Sequence, residues 1–335
     1  MTGRPRLRAH DRSGFRRGAR GALLTASLAV VALAASGCVV VHGEREVIPT
    51  ATPAEAEKAV EQFTDAYNKA DAAYDASLDA EYTTGPLGAI DAARLRAGRV
   101  NNPDGNPKHT DLVLSDVKYT IPQKAGWPRW FVVDAAANKG GASRWLMVFL
   151  RNDVSEPWKA AYLTLVAPDE VPRFAENADG WGEAVAADAA ELAVPPGELS
   201  DHYTAYLRQG GDGYADGTFT GALRERRAKN AEKPGLVTQY IDQPLVDGDY
   251  APLALRTIDG GAAVFFSSRH FMKQTAAQGA AVPTPNANVR ALTTGEIKQS
   301  LTMEFVANTV VVDPVKGKKV SVLGRIEGLT SGKGE

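Results

Sequence analysis

Apolar residues first fall at helical spacing at Val60, Phe63, Tyr67, Ala70 and Tyr74, with Ala59 and Ala66 beside them. This pattern predicts a helix over about 53–71. Thr52-Pro53-Ala54-Glu55 opens it with a capping box and a proline at the first helical position. Gly85-Pro86 breaks the pattern, and Leu87, Ile90 and Leu95 predict a short second helix. After a turn-rich loop at 101–109, strand patterns follow at 112–121, 129–134, 145–150 and 158–166. In the third of these, Trp145, Met147 and Phe149 point to one side and Leu146, Val148 and Leu150 to the other. A strand apolar on both faces is covered on both faces.

The order then repeats. Segments 199–207 and 223–230 read as helices and 236–241 as a strand. Segments 253–258 and 262–267 flank Asp259-Gly260-Gly261, a hairpin signal. Residues 274–295 are polar and contain proline, which predicts an exposed loop. A last hairpin, 297–312 with 320–326, closes around Lys316-Gly317-Lys318. Helices followed by an antiparallel meander, twice over, is an α+β organisation. It predicts two cone-like units, at 53–167 and 199–330, each with helices packed on a curved sheet. Between them, 168–198 holds eight acidic residues, one basic residue and four prolines. That composition predicts a solvated linker, with a short helix at 184–193.

The N-terminal 37 residues differ in kind. They carry seven arginines and one aspartate, and residues 22–35 are apolar and uncharged. Fourteen such residues are too few for an ordinary membrane span and suit a signal peptide. The run ends in Ala35-Ser36-Gly37-Cys38. Three small residues before a cysteine resemble the lipobox of bacterial lipoproteins. The resemblance implies cleavage after Gly37, acyl chains on Cys38, a tether over 38–52, and a chain held to the outer face of the cell membrane. Arg16-Arg17 leaves export by the Sec or the twin-arginine route open.

Length and composition narrow the chemistry. The chain has 335 residues, 44% of them hydrophobic, and a net charge of −2. Removing residues 1–37 leaves −8, which argues against nucleic acid as a partner. One cysteine excludes an intrachain disulfide and a cysteine-built zinc site. HExxH, GxSxG, CxxC and P-loop patterns are absent, so no catalytic residue, cofactor or metal is indicated. Asp212, Asp216, Asp247 and Asp249 lack calcium-loop spacing and read as turn residues. His109-Thr110-Asp111 has the residue types of an acid–base pair, without a spacing that demands one. Arg224, Arg226, Arg227 and Lys229 read as a solvated helix face, with contact to an anionic membrane or wall as the alternative. All five tryptophans lie within 127–181. Trp127, Trp130, Trp145 and Trp158 suit stacking on a sugar or flat apolar ligand, and suit a core equally.

Phe63-Thr64-Asp65-Ala66-Tyr67-Asn68-Lys69-Ala70-Asp71 is similar to the opening helix of nuclear transport factor 2-like domains. His42-Gly43-Glu44-Arg45-Glu46, 125–131 (AGWPRWF) and Thr238-Gln239-Tyr240-Ile241-Asp242 resemble an uncharacterised family of actinobacterial lipoproteins. The first resemblance implies cones in tandem. The second implies a surface-anchored protein and brings no activity. The reading is a non-catalytic binding or scaffold module at the cell envelope, with an envelope glycan or protein as partner. The alternative is an enzyme whose reaction pocket lies in a cone, as in ketosteroid isomerase-like members of that fold. An enzyme would place titratable groups with shifted pKa values beside a deep cavity, whereas a scaffold would have filled cones.

Overall fold

The computed structural model describes residues 46–335. A two-residue strand, β1 (Ile48–Pro49), leads into helix α1 (Pro53–Ala73). The capping box forms as the sequence predicts. Thr52 Oγ1 accepts from the Glu55 N–H at 3.2 Å, and the Glu55 carboxylate accepts from the Thr52 N–H at 2.8 Å. Helix α2 (Gly85–Asn101) outruns its predicted span. Ala89, Ala92, Ala93 and Ala97 favour helix without contributing to an apolar stripe, so periodicity alone misses its ends. Strands β2 (Leu114–Thr120), β3 (Pro122–Lys124), β4 (Arg129–Ala137), β5 (Arg144–Arg151) and β6 (Lys159–Val166) follow. The first sheet runs β2-β4-β5-β6, antiparallel throughout.

Past β7 (Gly182–Glu183) come α3 (Leu199–Gln209), α4 (Gly221–Ala231), β8 (Glu232–Lys233), β9 (Leu236–Leu245), β10 (Leu253–Arg256) and β11 (Ala262–Ala276). The chain ends through α5 (Ala287–Leu292), β12 (Thr293–Thr294), β13 (Ser300–Asp313) and β14 (Ser321–Gly334). The second sheet runs β12-β14-β13-β11-β9-β8, with β10 also on β11. The α+β class holds, and the Asp259-Gly260-Gly261 turn does join β10 to β11.

Alternation along the strands explains how the halves meet. The odd residues of β4 and β5 (Phe131, Val133, Trp145, Met147 and Phe149) are buried under Val60 and Phe63 of α1. The even residues (Trp130, Val132, Leu146, Val148 and Leu150) share a second core with Leu255, Phe265 and Val310 of the other sheet. Hence β5 is covered on both sides, by a helix and by a sheet. The opposite face of the second sheet (Val264, Phe266 and Val311) packs under Tyr203, Tyr206 and Leu207 of α3 and Leu223 of α4. The layers are therefore α1, first sheet, second sheet, then α3 and α4. Two glycines of β14 permit the approach: a Cβ on Gly324 would lie 2.6 Å from the Leu165 carbonyl, and one on Gly328 would collide with Ile90 of α2.

Three expectations change. The stretch 168–198 is not a solvated linker but a strap laid along the second half. Phe174 bridges Thr257, Ala184 bridges Leu255, and Leu192 bridges Val315; Leu192 and Val194 are buried. Residues 184–193 form no helix, because their N–H groups bond to other segments, as Val185 does to Ala254 O at 2.9 Å. The acidic side chains face outward while irregularly spaced apolar residues face in, so neither a period of 2 nor one of 3.6 shows. The described residues thus lie in one compact unit. The loop 274–295 contributes the end of β11, all of α5 and a buried Val282. The tether is shorter than 38–52: β1 pairs with β3, and Thr50 Oγ1 donates to Trp130 O at 2.6 Å.

Candidate functional site

The stacking residues proposed from the sequence do not share a pocket. Trp145 and Trp158 lie in the core under α1, and Trp130 lies in the core between the sheets. All three are buried, because strand alternation sends Trp130 to the face opposite Trp145. Trp127 alone of the four is exposed, at 36%. Cys38 and the Gly37 cleavage position lie outside the described residues.

A polar network that sequence reading missed sits between α1 and α2. Arg94 binds Asp91 at 2.8 Å and also Asp71. Asp71 in turn bonds His109 Nδ1 at 2.7 Å and accepts from Asn106 at 3.1 Å. His109 Nε2 reaches Asp111 at 2.9 Å, so the His109-Asp111 pair is real and is joined to α1. Hydrogen bonding to Asp71, then to Asp111, raises the His109 pKa. Burial acts to raise Asp71, but the bonds from His109 and Arg94 outweigh it and hold Asp71 below the usual carboxylate range. Arg94 also lies over the Tyr67 ring at 5.4 Å. The signal for this network was present. Leu87, Asp91, Arg94 and Leu95 fall at i, i+4, i+7 and i+8, so two charged residues occupy the apolar stripe of α2.

Asp79 completes the network from the loop after α1. It is 2% exposed, and burial together with the neighbouring Asp91 carboxyl pushes its pKa far upward. Neutral Asp79 stabilises the fold below about pH 4, where unfolded Asp is also protonated. That contribution fades as pH rises toward the folded value, because the unfolded chain ionises and the folded one does not. Asp79→Asn keeps the shape and removes this linkage. It should stabilise the protein at pH 8 by on the order of 2–4 kcal/mol and by nothing at pH 4. Denaturant titrations at the two pH values measure the difference. Equal effects at both would contradict the neutral assignment.

A second network lies under α3 and α4. Cross-strand register places Asp242, His270 and Phe305 in one row, with Ser268, Ala307 and Glu327 in the next. Arg227 of α4 binds Asp242 at 2.7 Å, with side chains 10% and 4% exposed. One member of the basic run at 224–229 therefore points inward rather than to solvent. Arg325 binds Glu327 at 3.0 Å. His270 stacks on Phe305 at 4.8 Å, and burial lowers its pKa to about 4, so it is neutral. Among the described residues no cluster of His, Cys, Asp or Glu is arranged to hold a metal ion.

Two open grooves lie where the halves meet. One, of about 640 Å³, is walled by Tyr74 and α2 on one side and by α5, β12 and β14 on the other. Arg96 and Arg99 line it, donating to Thr330 O at 3.5 Å and Ala73 O at 3.2 Å. Among the described residues neither arginine has a carboxylate at ion-pairing distance. The other groove, of about 620 Å³, is bordered by Asp79, Thr84, Asp249 and Tyr250. There Asp249 accepts from Thr84 and from Asn152, so it is already engaged.

Against known proteins, this α+β chain matches relatives that are named lipoproteins. An uncharacterized lipoprotein of Streptomyces coelicolor is 67% identical over 94% of this chain and 95% of its own length. An uncharacterized lipoprotein of Streptomyces avermitilis is 53% identical over 96% of this chain and 98% of its own length. A further S. coelicolor lipoprotein is 24% identical over 82% of this chain and 80% of its own length. The chain belongs to the family described as Domain of unknown function (DUF8094), which it matches over residues 47–334. No solved structure matches it.

Proposed function

We propose that the mature chain is held by acylated Cys38 on the outer face of the cell membrane and is a non-catalytic module that binds an anionic envelope glycan. One observation carries the binding half. Arg96 and Arg99 stand in a groove formed by both halves, with only backbone carbonyls as partners. Guanidinium groups so placed suit carboxylate or phosphate, and the apolar wall of Val100 and Leu292 suits a sugar ring. The lipobox residues and the lipoprotein relatives support the anchor.

The enzyme reading draws on the neutral Asp79 beside the second groove. Its unbonded oxygen, and that of Asp91, are sealed from solvent, which disfavours proton exchange with a bound substrate. Calorimetric titration of the full mature protein with muropeptides, which carry free carboxylates, tests both readings. Saturable binding is expected, weakened about tenfold or more in Arg96→Ala/Arg99→Ala and reduced by salt. No saturable heat, or an unchanged double variant, would overturn the groove assignment. Muropeptide turnover lost in Asp79→Asn would make the protein an enzyme.

A further inference from the structure

The folded unit also has an end suited to rest on the bilayer, and this inference depends on the lipid anchor proposed above. Nine residue steps separate Cys38 from Val47, so an acylated Cys38 holds Val47 within about 30 Å. Where the chain joins the fold, Val47 is 62% exposed, and Ile48 pairs with Lys124 of β3. Three residues past Lys124 stands the exposed Trp127, with the Arg129 guanidinium 5.6 Å and that of Arg151 5.9 Å from its ring. Arg129 donates to Ile48 O at 3.4 Å and to Lys124 O at 3.0 Å, which ties these residues into one patch. Arg129 and Arg151 are direct cross-strand partners, so the β5–β6 turn is at the same end of the sheet. That turn carries Val154, 73% exposed. Among the described residues Lys124 and Arg129 have no carboxylate partner, but Arg129 is buried and Lys124 Nζ donates to Pro128 O at 2.8 Å; Arg151 is paired with Glu55 at 3.1 Å.

We propose that this end, with Val47, Ile48, Trp127 and Val154 foremost, lies against the headgroup region of the membrane that carries the anchor. The occupant follows from three features together. The tether length fixes the distance, an exposed tryptophan is a side chain that partitions to a bilayer interface, and Val47, Ile48 and Val154 surround it with further exposed apolar side chains. Trp127 then sits at headgroup level and the arginine-lined groove remains free for solvent-borne ligand.

Purified, acylated full-length mature protein in vesicles of equal parts phosphatidylglycerol and phosphatidylcholine tests this, with brominated acyl chains as quencher. Flotation reports the anchor and tryptophan quenching reports the orientation. Wild type and Trp127→Phe should float equally, and the quenched component of the emission should be lost in the variant. Flotation with no quenching, or with equal quenching in both proteins, would overturn the orientation and leave the anchor standing. Failure of the wild type to float would overturn both.

Discussion

Phe265→Ala should lower the stability of the whole folded unit by about 3–5 kcal/mol, and tryptophan emission should report the full loss. Phe265 is fully buried and faces Tyr162 of the first sheet, ring centroids 6.4 Å apart, in the core that both sheets share. All five tryptophans lie at 127–181, and the residues past 198 have none, so no emission arises within the second half itself. Independent halves would let a substitution in the second leave that signal untouched. With the halves sharing a core, denaturation followed by far-ultraviolet circular dichroism and by tryptophan emission should give one midpoint, displaced equally by Phe265→Ala. An unmoved emission midpoint would show that the halves unfold separately.

Arg227→Met should destabilise by about 3–5 kcal/mol, because it leaves the Asp242 carboxylate buried without a counter-ion. The Asp242 side chain is 4% exposed, and its ion pair with Arg227 joins α4 to β9. The arginine also covers the Tyr240 ring at 4.9 Å, so methionine retains part of the packing. The double variant Arg227→Met/Asp242→Leu removes both charges and should recover most of the loss. Denaturant titration of the three proteins measures this. A double variant no better than the single would mean that packing on Tyr240, rather than the charge, carries the effect.

Much of the fold was legible because each half obeys simple periodicity. The capping box at Thr52, the two-faced strand at 145–150 and the Asp259-Gly260-Gly261 turn all stand where the pattern puts them. The way the halves associate was half-legible: β5 needed a cover on each face, and one half supplies only α1. The strap at 168–198 was illegible for a physical reason. Its backbone bonds to scattered partners, so its buried residues follow those partners and no period of their own. The polar networks were missed because acidic and basic residues normally mark the solvent side. Asp91, Arg94 and Arg227 are buried or partly buried because they compensate one another or a facing carboxylate. Tryptophan clustering along the chain implied clustering in space, and strand alternation undid it.

The anchor is tested most directly at the N-terminus of the mature protein. Mass spectrometry of protein extracted with detergent from membranes should find a first residue of Cys38 carrying acyl chains, with no peptide from residues 1–37 remaining. Cys38→Ser should keep the uncleaved leader and lack the lipid mass. A wild-type chain recovered from the soluble fraction with an unmodified Cys38 thiol would contradict the lipoprotein assignment.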